Sequence, residues 1–283
     1  MNKHYFLTIV FVLVSLVIPA GARAQTPVSP GYFGPNAFQI PDFPDLGMKG
    51  DRNIDIETAG DYIRGRVGAT DDTYDFYVKT SYPLFSDRAK FSFWWTVHEW
   101  YDMSSDVLEY RGVDELDCSS TAGAIYLSTE ILVQKEKRYV PGIIIRSAMR
   151  TASDNWNAYF DRRGYDAAGY FFDATLGKTF GALSCSAAIG FLAWQTGYGS
   201  QNDAVLFGAK ASYSHETVRI SAHLGGYVGW QHNRDFPMSL RLRGELGPQK
   251  WQVQPYLEYQ CGFKDWPFDQ IRIGLVTRIP TCK

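Results

Sequence analysis

The sequence predicts an all-β protein, a closed up-and-down antiparallel transmembrane β-barrel of about 12 strands. Three observations point to it. From Ile54 onward, apolar and polar residues alternate with period 2, the pattern of strands that bury one face. The alternating segments run for about ten to fourteen residues. Globular strands usually stop near five or six, whereas a tilted strand needs about nine to eleven to cross a bilayer. The segments are joined alternately by short turns and by mostly longer polar loops, the arrangement of outer-membrane barrels.

Taken in order, the chain opens with a basic stretch (Lys3, His4), an apolar run from Tyr5 to Pro19 and the small-x-small sequence Ala22-Arg23-Ala24. That is the layout of a secretory signal peptide over residues 1–24, cleaved before Gln25. Beyond Gln25 no apolar run approaches the roughly 18 residues of a membrane helix, so a helical membrane protein is excluded.

Residues 25–53 form a separate Pro/Gly-rich N-terminal segment, expected on the periplasmic side. Its punctuation forbids long helices and ladder strands. Yet Tyr32, Phe33, Phe38 and Ile40, set among Pro35 and Pro41, are too apolar for an inert linker. They are expected to dock, either as a plug in the barrel or on another outer-membrane or periplasmic protein.

The barrel is expected over residues 54–283. Its strands are predicted at 54–67, 73–83, 90–100, 120–133, 139–150, 166–176, 182–194, 204–214, 217–230, 237–246, 251–260 and 270–279. In the second, Tyr74, Phe76, Val78, Thr80 and Tyr82 oppose Asp75, Tyr77, Lys79 and Ser81. In the third, Phe91, Phe93, Trp95 and Val97 oppose Ser92, Trp94, Thr96 and His98, which sends Glu99 to the apolar side. Pro255 falls inside a strand, where its missing N–H predicts a bulge.

A soluble barrel would point its apolar face inward, but small residues such as Gly123, Ala187 and Ala209 fill so wide a cylinder poorly. In lipid the apolar face points outward, making outer-membrane lipid the first partner. The polar face then lines the lumen with Asp75, Lys79, His98, Glu130, Arg146, Arg150, Arg219, His223, Arg241, Arg243, Glu245, Glu258 and Arg272. Both signs are present, and Glu130 with Arg146 and Glu245 with Arg243 or Arg272 are candidate pairs.

The whole chain carries 28 basic against 30 acidic residues, a balance that gives no reason to expect nucleic acid. Aromatics make up 16%, in keeping with rings placed at membrane interfaces. Cys118, Cys185, Cys261 and Cys282 match no zinc spacing and leave three disulfide pairings open. The acidic loop from Asp102 to Asp117 lacks the glycine of an EF-hand. No metal, cofactor or catalytic residue is therefore expected.

The segment Gly31-Tyr32-Phe33-Gly34-Pro35-Asn36-Ala37-Phe38-Gln39-Ile40-Pro41-Asp42, with the signal peptide and the repeated strands, resembles a group of outer-membrane barrels of Bacteroidota that carry Tyr-Phe-Gly-Pro-Asn-Ala-Phe after the signal. The resemblance implies a barrel in the outer membrane of a Gram-negative bacterium and supplies no reaction. Three functions compete: a porin-like small-solute channel with a charged lumen that the N-terminal segment plugs, a non-enzymatic accessory subunit of an outer-membrane complex, and a lipid-modifying enzyme. The last needs His, Ser and a carboxylate clustered at the rim, which the sequence does not assemble, so the expectation is that the protein is not an enzyme.

Overall fold

The computed structural model describes residues 33–45, 53–84, 88–164, 167–195, 201–229, 235–248 and 251–281. The expected signal peptide, Tyr32 and Cys282 lie outside the described residues.

The strands are β1 (Asn53–Gly65), β2 (Asp71–Leu84), β3 (Ala89–Met103), the two-residue β4 (Ser120–Thr121), β5 (Ile125–Gln134), β6 (Gly142–Arg150), β7 (Gly169–Phe180), β8 (Leu183–Gln195), β9 (Gln201–His215), β10 (Val218–Gly229), β11 (Met238–Leu246), β12 (Val253–Lys264) and β13 (Phe268–Pro280). Apart from β4, which rides on the edge of β3, they form a closed antiparallel barrel of 12 strands. β1 pairs with β2 on one side and along its whole length with β13 on the other, from Asn53↔Pro280 to Gly65↔Phe268. Closure leaves no ladder edge with unsatisfied backbone groups, which a hydrocarbon environment requires.

Two short helices sit in the connections, α1 (Ser105–Arg111) and α2 (Trp156–Phe160). Both lie at the same end of the barrel. That end is where β1, β3, β6, β8, β10 and β12 finish, and the opposite end is where β2, β5, β7, β9 and β11 finish. The length contrast rests on the loops holding α1 and α2. The loop expected over 261–269 shrinks to three residues because β12 and β13 continue further than their sequence pattern suggests.

The bulge expected at Pro255 is absent. Pro255 pairs regularly with Leu275, and the ladder between β11 and β12 ends at Tyr256, so no partner there calls for its missing N–H. Among the described residues the cysteines Cys118, Cys185 and Cys261 are free.

The barrel is inverted relative to a soluble protein. Its largest exposed apolar side chains, such as Ile273 at 66% and Ile189 at 60%, stand on the outward phase of the strands, while Arg150 at 0% and Asp61 at 5% are buried inside. A continuous apolar outer surface of this extent has no stable place in water and matches hydrocarbon.

Candidate functional site: the barrel lumen

The register places the wall residues. Twelve of the expected lumen residues share the inward phase: Asp75, Lys79, Glu130, Arg146, Arg150, Arg219, His223, Arg241, Arg243, Glu245, Glu258 and Arg272. They sit in ladders of opposite charge. Arg146 binds Asp173 at 2.7 Å, Lys90 meets Glu130 at 3.1 Å, and Arg272 grips Asp61 at 2.6 Å. Arg243 reaches Glu57 and Glu245, both at 2.9 Å, and Arg241 lies 3.4 Å from Glu258. The expected pairing of Glu245 with Arg243 forms. Glu130 and Arg146 are register neighbours, but each takes another partner.

His98, expected in the lumen, lies on the outer face instead. The pairing of β2 with β3 slips between Phe76↔His98 and Tyr77↔Thr96, a β-bulge that inserts one extra residue at Val97. A one-residue slip moves every later side chain to the other face. His98 therefore shares the outward face with Phe76 and packs its ring 4.5 Å from that of Trp100. Glu99, expected outside, is buried in the lumen at 1% exposure.

Sequence reasoning also passed over Glu57 and Asp61, although Asp55, Glu57 and Asp61 alternate with Ile54, Ile56 and Tyr62 and carried the signal.

The described part of the N-terminal segment, Phe33–Asp45, does not hang below the barrel. It lies against inward-facing side chains from one end of the lumen to the other. Near the long-loop end, the Gly34 N–H donates to the Arg162 carbonyl at 2.7 Å. A Cβ at Gly34 would fall 2.6 Å from the Arg163 guanidinium, which would have to shift from its place to admit a side chain. Phe33 and Phe38 pack on Trp194, the latter stacked at 4.9 Å, within a cluster that includes Tyr126, Phe171, Leu206 and Tyr227. Ile40 joins Ile63, Trp266 and Phe268 across the lumen. Pro41 is buried and Pro35 partly so.

Polar anchors alternate with these apolar contacts. The Asn36 amide donates to Asp75 at 2.8 Å and to Glu99 at 2.6 Å, and Arg150 donates to the Ala37 carbonyl at 2.8 Å. Toward the short-turn end, Lys210 reaches Asp42 at 3.3 Å and Asp45 at 3.1 Å, and Arg219 reaches Asp45 at 2.8 Å. His223 lies 3.5 Å from Asp42 and edge-on to Phe43.

The loops holding α1 and α2 fold over the long-loop end. Arg111, at the last turn of α1, binds Asp71 at 2.7 Å. Gly112 closes that helix in the left-handed conformation, at φ 65°, which favours glycine. Beyond α2, Arg163 binds Glu99 at 3.0 Å and Thr73 at 2.7 Å. Asp161 accepts from the Tyr101 hydroxyl at 2.6 Å and from the Asp117 and Cys118 backbone, tying the two loops together.

Between the N-terminal segment and the wall of β1–β3, β5, β6, β9 and β11–β13, a cavity remains. It holds about 1050 Å³ of space, its open mouth included. Seven cationic side chains line it, Lys79, Lys90, Arg146, Lys210, Arg241, Arg243 and Arg272, against five acidic ones, Asp42, Asp45, Glu57, Glu130 and Glu258.

No protein-family model matches the chain, and no curated protein matches it in sequence. Solved structures do. The chain is similar to the NanC porin, with a TM-score of 0.55 and 10% identity over 79% of this chain and 100% of that one. It is also similar to the KdgM porin, solved in complex with oligogalacturonate, with a TM-score of 0.52 and 9% identity over 79% of this chain and 98% of that one. At that identity the likeness concerns the fold. Together with the apolar outer surface, it makes this protein an outer-membrane β-barrel of porin-like architecture.

Proposed function

We propose that the protein is a small-solute channel of the outer membrane whose lumen is held shut by its own N-terminal segment. The observation that carries this reading is the placement of Phe33–Asp45 along the lumen, fastened to opposite walls by Asn36, Phe38, Asp42 and Asp45. A permanently solid barrel has no need of a cavity whose lining is two-thirds charged and polar residues. A wall of paired charges is what a water-filled pore presents once its filling is withdrawn. Short turns face the periplasm in such barrels, so the cavity is reached from that side and the loops with α1 and α2 cover the outside.

The test is single-channel conductance in planar bilayers of three forms: the full chain, the chain lacking residues 25–45, and the chain lacking both these and residues 154–164. Conductance that steps up as each obstruction is removed supports a gated channel. A flat record in all three sinks it and moves attention to a scaffold role.

A further inference from the structure

Among the described residues, the cavity beside the N-terminal segment has one cation without a partner. Each of its other six cations has a carboxylate within 3.4 Å. Lys79 has no hydrogen bond or ion pair among the described residues. Its cross-strand neighbour on β1 is Glu57, the natural partner by register. Glu57 turns away to Arg243 at 2.9 Å and to the Tyr256 hydroxyl at 2.5 Å. On the other side Lys79 faces Trp94. The nearby acids Asp42 and Glu130 are engaged by Lys210 and Lys90. Lys79 is partly buried, and an ammonium drawn partly out of water without a partner is costly, while a lining with two more cations than acids adds to the field.

We propose that Lys79 anchors an anion-binding site in this cavity, for a small hydroxylated solute carrying one carboxylate or phosphate group. The anionic group sits on the Lys79 ammonium, the position among the described residues where the wall supplies charge without a counter-charge. Ser92, Ser128 and Gln260 line the same space and offer neutral donors and acceptors to hydroxyl groups. The enclosed part of the cavity is small, so the site suits a compact solute rather than an oligomer. This deepens the channel reading, resting on it for the physiological role of the site as a station for an anionic solute entering from the short-turn end. Binding itself needs no ion flow.

The experiment is equilibrium binding of two probes, gluconate and inorganic phosphate, to the full-length folded protein in detergent, by calorimetry at low ionic strength. The native protein should bind at least one, and the preferred probe tells whether the site takes a carboxylate or a phosphate. Lys79→Met keeps the length of the stem and should weaken binding by about tenfold or more, the worth of one charge-assisted hydrogen bond. Lys79→Gln serves if the methionine variant does not fold. Lys178→Met, at a turn where Lys178 pairs with Glu136 at 2.8 Å, should bind as the native protein does. If the native protein binds neither probe, or a folded Lys79 variant binds equally well, the site does not exist. A protein that binds through Lys79 yet never conducts would remove the channel reading and keep the site.

Discussion

The two ends of the lumen are fastened by the same chemistry at different depths. At the long-loop end, Arg163–Glu99 and Arg111–Asp71 place side chains no more than 4% exposed in direct contact. At the short-turn end, Arg219 and Asp45 meet at a similar distance, but their side chains are 30% and 37% exposed. Breaking a buried pair strands a charge in a poor solvent, whereas breaking an exposed pair hands both charges back to water. The long-loop end is thus built as a lid, and the short-turn end as a latch that yields to small changes.

The contrast breaks most sharply at Arg163. Replacing it with alanine leaves Glu99 buried with only the Asn36 amide, and should cost about 3–5 kcal/mol. Heat-modifiability in detergent should drop, and the loop around α2 should become open to external protease. A variant as resistant as the native protein would mean that the lid is held by packing alone. Phe38→Ala comes next. It empties a fully buried ring site beside Trp194 and should cost about 3 kcal/mol, read as protease access to the N-terminal segment from the short-turn side. Unchanged protection would show that the polar anchors suffice.

At the latch the effects shrink. Asp45→Asn should cost about 1 kcal/mol and lose part of that in high salt, since its pair with Arg219 is about a third exposed and the more buried Lys210 keeps Asp42 as a partner. A large, salt-independent cost would erase the distinction between the two ends. Acid probes the same end through Glu136. Partial burial would raise its carboxyl, but hydrogen bonds from Lys178 and Thr179 outweigh this and hold it below the ordinary range. A depressed folded pKa means stability that is complete above the unfolded value and is lost as pH falls through the folded one. The 135–141 turn should therefore stay protected from proton exchange at neutrality and loosen only in acid below about pH 4. Glu136→Gln should abolish that acid step.

Much of this was written in the alternation. Lys79, Arg146, Arg241 and Glu258 were legible because period 2 is unbroken around each of them; the one slip in β12, at Phe263, lies beyond Glu258. The N-terminal segment was legible as something that docks, because Phe33, Phe38 and Ile40 cannot stay in water, but its path was not. The partners of a segment without periodicity are fixed by tertiary contacts, here Trp194, Asp75 and Glu99. The lid was hidden for a related reason. Glu99 enters the lumen only because β3 bulges against β2, and no local pattern around Val97 announces it.

That bulge is also where the smallest effect carries information. His98→Ala removes an outward ring that touches only Trp100 in the ring contacts, and should change stability by no more than about 0.5 kcal/mol and conductance not at all. Cysteine labelling gives the sharper reading. A bimane on His98→Cys should be quenched by lipid-borne nitroxides, as should one on Phe76→Cys, its register partner. A water-soluble thiol reagent should reach Lys79→Cys from the short-turn side and miss both. If position 98 instead reacts from the lumen, the slip at Val97 is wrong. Glu99 would then leave Arg163 without its partner, and the buried lid that sets the two ends apart would have to be held by something else.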